Sequence, residues 1–209
     1  MIWADLGPAL ERTLGLMVLT YLGALALGIV LAICRIGPVP PLRAAATTYV
    51  TVFRNVPLLV LLVLFTFGLP TVGLLVPLYY NAALAMALYW AAFVCEVVRS
   101  GVRTVPRGQV EAARALGMSL GQCLRLIILP QALRTMVQPL ANIFIGSALA
   151  TALAAAAGVS ELTFWYQQQA NQAGSPLTSF VVVGAIYVVI ALAAGLIAGR
   201  IEERVAIHR

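Results

Sequence analysis

Residues 55–95 contain no charged side chain, and neither do residues 13–34. Runs of this kind decide the fold class. A helix that crosses hydrocarbon needs about 20 apolar residues, and in lipid every backbone polar group must be satisfied within the chain. The first run, from Thr13 to Cys34, makes one span. The second is too long for a single crossing, and Gly68, Pro70, Gly73 and Pro77 cluster near its middle, where turn residues belong. It reads as a hairpin of spans over residues 47–69 and 78–98. A charged loop follows, then a span over 135–157, a polar segment over 160–175 and a last span over 176–199. The expected architecture is all-α, an integral membrane domain of five transmembrane helices covering residues 1–209. Charged residues make up 10% of the chain and the mean hydropathy is +1.00, against roughly a quarter charged in soluble domains. Asp5 and Glu11 precede the first apolar run, where a cleaved signal would carry basic residues. That run is expected to remain as a span.

All 13 basic residues are arginine. Without lysine there is no GxxxxGK[ST] phosphate loop and no Schiff-base chemistry. The one histidine, His208, stands next to the C-terminal Arg209, and Cys34, Cys95 and Cys123 lack metal-ligand spacing. No catalytic residue, metal site or bound cofactor is expected of this chain. The net charge of +6 does not point to nucleic acid, because the arginines lie between apolar segments rather than along one stripe. They are topology signals. One side of the alternation holds only Arg12; the other receives Arg35, Arg43, Arg54, the six from Arg99 to Arg134, and Arg200, Arg204 and Arg209. By the positive-inside rule the second side is cytoplasmic, with the N-terminus outside and the C-terminus inside.

The loop over 99–134 is too polar for lipid, yet patterned. Pro106 can open a helix at its first turn, and Val110, Ala113 and Leu120 fall near helical spacing. Ala112 and Ala113 leave room for a close neighbour. Gly117 breaks the helix, and Ser119 with Gln122 forms a capping-box pattern for a second helix that Pro130 is expected to end. The pattern predicts a helix–turn–helix at the cytoplasmic face. It suits either an interfacial element resting on lipid headgroups or a docking element for another protein.

The run EAARALGMSLGQCLRLIILP, from Glu111 to Pro130, resembles the EAA loop of ABC importer permeases: E-A-A, three residues, G, nine residues, I-x-L-P. Glu111, Ala112, Ala113, Gly117, Ile127, Leu129 and Pro130 occupy each position. FRNVPLL from Phe53, CEVVRSGVRTVPRGQVEAA through Gln109, LPQALR from Leu129 and GVSELT from Gly158 are similar to the polar amino acid uptake branch, and the opening WADLGP to its glutamate-type members. The resemblance implies a subunit that pairs with a second permease, as a homodimer or a heterodimer. It also implies two separate ATPase subunits holding ATP and Mg, and an extracytoplasmic binding protein delivering a polar amino acid, glutamate- or glutamine-like. The loop helix would seat in a groove of the ATPase. One segment departs from the family. Where members carry K-[DN]-[TS]-[ST]-[LI], this chain has Leu149, Ala150, Thr151, Ala152 and Leu153. That is either drift towards an alanine-rich helix for close approach or a sign that a paired permease supplies the polar contacts.

Several residues keep two readings. Arg54, followed by Asn55 and Pro57, either snorkels from a span end or pairs within the translocation path, and Arg54, Asn55 and Thr151 are candidates for the substrate path or subunit interface. Glu96 and Arg99 share a helix face as a helix-end ion pair or a relay of loop movement. Residues 160–175 are a solvated loop or a short helix, with Trp165 and Tyr166, and also Trp3, Tyr79 and Tyr80, as an outer aromatic belt. Gly146, Ser147, Gly195 and Gly199 read as helix-contact surfaces. Two other functions fit the composition: an ion-coupled secondary carrier, for which Glu96 is the nearest intramembrane acid, and a non-transporting membrane scaffold.

Overall fold

A computed structural model describes residues 5–172 and 176–205; Trp3, His208 and Arg209 lie outside them. The chain is helical throughout and strand-free among the described residues. Four helices are long and apolar enough to cross a membrane, or five if one bent pair is a single span.

Helix α1 (Leu6–Ile36) lies along α4 (Leu78–Arg103) in the most extensive contact of the fold. Small residues make it possible. A Cβ on Gly28 would stand 2.6 Å from the Val94 side chain and 2.8 Å from the Ala91 carbonyl, and one on Gly23 would stand 2.9 Å from Ala87. Ala82, Ala85, Ala91 and Ala92 of α4 are fully buried. Backbones this close gain dispersion contacts, which in lipid replace the hydrophobic drive between helices.

The predicted span over 47–69 is broken. Helix α2 (Pro40–Asn55) and helix α3 (Leu58–Thr71) meet at 102°. The cause is local. Pro57 offers no N–H and forces Val56 into extended backbone (φ −94°, ψ 132°). Tyr49 then pins α2 to α4, donating to the Leu88 carbonyl at 2.8 Å and stacking on Phe53.

The third predicted span runs on to Arg103 as α4. A short α5 (Arg107–Ala115) follows, and then one continuous helix, α6 (Leu120–Ala157). Pro130 therefore ends nothing: the second loop helix and the fourth span are one element. A π-helical stretch, Cys123–Ile128, lies directly before Leu129-Pro130. Its wider turn shifts hydrogen bonding by one residue, so the proline's missing donor is accommodated. The same device recurs in α3, where π-helical Leu64–Gly68 precedes Leu69-Pro70. The freed Phe65 carbonyl takes the Asn81 amide at 2.7 Å.

The segment after α6 contains α7 (Leu162–Gln172), so it is not a plain solvated loop, and α8 (Pro176–Val205) closes the bundle against α6. Trp165 is 2% exposed and joins the core with Leu162 and Tyr187, so it is not a belt residue. Gly146 does receive a neighbour, the Trp90 ring. Gly195 and Gly199 face open space.

Candidate functional site

The loop between α4 and α6 is shaped by its caps. Helix α5 closes on Gly117 in the left-handed region (φ +85°), with Met118 N–H donating to the Ala113 carbonyl and Gly117 N–H to that of Arg114. This is the Schellman pattern, which satisfies carbonyls at a helix end. Two residues on, Ser119 and Gln122 exchange both bonds of a capping box and start α6. The turn reverses the chain, so α5 lies beside the π-helical stretch of α6.

The two alanines divide their work. Ala113 is 4% exposed and faces inward, whereas Glu111 and Ala112 are exposed. Glu111 borders an open cavity of about 600 Å³ together with Arg103, Arg107 and Ile128, and makes no ion pair among the described residues. Gln109 accepts from the Gln131 amide at 2.8 Å, and Gln131 also donates to the Ile127 carbonyl at 3.0 Å. Gln109 thus ties α5 to α6. Leu129 and Pro130 are exposed on α6. Gln131, which spacing did not single out, is the link between the two helices.

At the adjoining ends of the spans sits a cluster of three arginines on one carboxylate. Glu96 accepts from Arg35 of α1 at 2.7 Å and from Arg99 at 2.8 Å, while Arg54 of α2 stands 3.5 Å away. The Arg35 side chain is 11% exposed and that of Arg54 46%. Arg54 also lies over the Phe93 ring, 5.6 Å from its centroid. Arg54 therefore both pairs and reaches outward, and the local pair of Glu96 and Arg99 is part of a tie among three helices. Asn55 spends its amide on the Thr51 carbonyl at 2.7 Å. Arg35 was not separable by sequence from an ordinary topology arginine, because its partner is sixty-one positions away.

At the other end of the bundle, Glu161 is fully buried. Its carboxylate accepts the Phe164 N–H at 2.9 Å and the Tyr187 hydroxyl at 2.8 Å. Burial raises its pKa; the hydrogen bonds to Thr163, Tyr187 and Phe164 oppose that only in part. Thr13 takes the Leu162 N–H at 3.0 Å, and Gly158 (φ +87°) makes the turn that brings these groups together. Thr151 is buried, donates to the Ala148 carbonyl at 2.7 Å and lies 3.4 Å from the Tyr187 hydroxyl, so its polar group is spent inside the bundle. Its neighbours Leu149 and Leu153 are exposed and apolar. No cluster of three or more His, Cys, Asp or Glu able to hold a metal ion occurs among the described residues.

Residues 24–207 match the family described as binding-protein-dependent transport system inner membrane component. The chain belongs to this family. This permease is 35% identical over 225 residues to the glutamate transport system permease protein GluC of Corynebacterium glutamicum, covering 100% of this chain and 99% of that one. It is 39% identical over 134 residues to the probable glutamine ABC transporter permease protein GlnM of Bacillus subtilis, covering 64% of this chain and 62% of that protein. Among solved structures, an amino acid ABC transporter with histidines superposes with a TM-score of 0.88 at 30% identity, covering 94% of this chain and 92% of that one. The permease is a membrane-spanning transport subunit. In its fold the α5 loop and the Glu96 cluster stand together at one end, and the Glu161 network at the other.

Proposed function

We propose that this chain is the permease subunit of an ATP-driven importer for a glutamate- or glutamine-like amino acid, coupled through α5 to a separate ATPase. The observation that carries the reading is the construction of α5. A nine-residue helix presents Glu111 and Ala112 outward, anchors Ala113 inward, and is tied by Gln109 and Gln131 to a continuous 38-residue helix. A partner that moves α5 therefore moves α6 with it. Exposed Ala112 admits close approach, and Glu111 offers an uncommitted carboxylate for a polar or cationic group. Two ATPase subunits would hold ATP and Mg, two permease subunits would form the pathway, and an extracytoplasmic binding protein would deliver the amino acid.

Placement in the cytoplasmic membrane of a bacterium follows the arginine distribution, with α5 inside, the N-terminus outside and the C-terminus inside. The amino acid class rests on the likeness to the glutamate and glutamine permeases, and the apolar exposed face at Leu149 and Leu153 favours a second, different permease supplying polar substrate contacts. The test is Glu111→Lys in the assembled complex. ATPase co-purification and ATP-dependent uptake are expected to fall together. Unchanged co-purification and uptake would refute the coupling role. Uptake that survives ATP depletion but collapses with the ion gradient would mark a secondary carrier instead.

A further inference from the structure

We infer that the cleft between the start of α1 and α7 is a binding site for the backbone zwitterion of a free amino acid, with Asp5 for the ammonium and Arg12 for the carboxylate. The inference rests on the import reading for its outward placement. It names an entry site that precedes the transmembrane path.

Asp5 stands at the N-cap of α1 and Arg12 two turns further along, a separation of about 10 Å along the axis. Both line one cavity of about 200 Å³. Neither charge is paired among the described residues. Asp5 makes no capping hydrogen bond. Opposite charges that share a cavity without touching leave room for a ligand carrying both signs. Ser160 and Gln168 line the opposite wall. The volume lies below the roughly 300–1,000 Å³ of drug-sized pockets, which suits an amino acid rather than a peptide.

The walls are fixed before any ligand arrives. The Tyr79 hydroxyl donates to the Arg12 carbonyl at 3.0 Å, holding the turn that carries the guanidinium. Thr13 bridges α1 to the start of α7 through the Leu162 N–H at 3.0 Å. Glu161 also borders the cavity, but both of its oxygens are engaged, so Asp5 is the carboxylate open to a ligand. Preorganised walls lower the ordering cost of binding. Arg12 is also the one arginine that the topology assigns to this side, against the charge bias of the whole chain.

The test uses the permease–ATPase complex in lipid nanodiscs, without nucleotide and without the binding protein. Binding of L-glutamine is compared by calorimetry and ligand-observed NMR with 4-aminobutanamide, which lacks the carboxylate, and glutaramate, which lacks the ammonium. L-Glutamine and L-alanine are both expected to bind, and loss of either charge to weaken binding by about tenfold. Arg12→Gln should erase the preference over 4-aminobutanamide alone, and Asp5→Asn the preference over glutaramate alone. That crossed pattern is one that misfolding does not produce. Absence of L-glutamine binding to the unmodified complex, or unchanged discrimination in both variants, overturns the proposal. So does loss of binding-protein docking in the variants with L-glutamine binding intact, which would make the cleft a protein contact. ATP-dependent uptake, measured separately, tests the import reading and can fail while this site stands.

Discussion

Replacing Glu96 with glutamine removes the one anion facing three arginines while keeping the side chain's shape. Two of the contacts are charge-assisted hydrogen bonds with good geometry: Arg35 at 2.7 Å, and Arg99 with Nη2 at 2.8 Å and Nε at 3.1 Å. A hydrogen bond to a charged group contributes about 1.5–3 kcal/mol. Because the Glu96 and Arg99 side chains are each 24% exposed, the low end applies, giving about 3 kcal/mol for the two. Arg54, at 3.5 Å and 46% exposed, adds about 0–1 kcal/mol. At about 2–4 °C per kcal/mol for a chain of this size, Glu96→Gln is expected to lower Tm by about 6–16 °C. Double-mutant cycles in detergent, read by thermal unfolding, separate the arms: coupling of about 1.5–2 kcal/mol with Arg35→Gln and under about 1 kcal/mol with Arg54→Gln. Equal coupling to Arg35 and Arg54, or a Tm that does not move, would refute the reasoning that burial ranks these pairs.

Two further outcomes follow from the same geometry. Gly28→Ala places a methyl group 2.8 Å from the Ala91 carbonyl, so α1 must shift; overpacking of this kind costs about 1–3 kcal/mol, checked by Tm, and a neutral result would mean the two helices are not in close contact. Burial holds the Glu161 carboxyl above its ordinary range, so the folded chain binds that proton more readily than the unfolded one. Stability from this group is then fully present below the unfolded pKa and is lost as pH rises through the folded value. The Tm of the unmodified chain should gain on that of Glu161→Gln as pH falls towards the ordinary carboxylate range, and a difference independent of pH would place the carboxyl in water.

Membrane residence and all-helical architecture were legible in the charge-free runs, since lipid leaves few ways to satisfy a backbone. The ends of α5 and the start of α6 were legible too: Pro106, Gly117 and the Ser119–Gln122 pair act through contacts a few residues apart. Pro57 was readable as a break, but not the 102° angle, which depends on Tyr49 reaching the Leu88 carbonyl. Pro130 was misread because the π-helical turn over Cys123–Ile128 accommodates its missing donor, and no single residue of the sequence marks that turn. Residues 160–175 looked solvated because five amides crowd there; burial of Glu161 and Trp165 against α1 and α8 is invisible to composition.

The charge-free runs of residues 13–34 and 55–95 thus determined by themselves that this chain lives in lipid as helices, and the spacing from Glu111 to Pro130 singled out the loop proposed to couple it to an ATPase. Both are local properties, set by transfer free energy and by caps within one or two turns. Tertiary structure alone decided that Arg35 and Arg54 converge on Glu96, that Gln131 joins α5 to the long helix, and that Asp5 and Arg12 face α7 across a cleft. Those pairings join residues from different helices. Their worth depends on distance and burial, which only the folded bundle supplies.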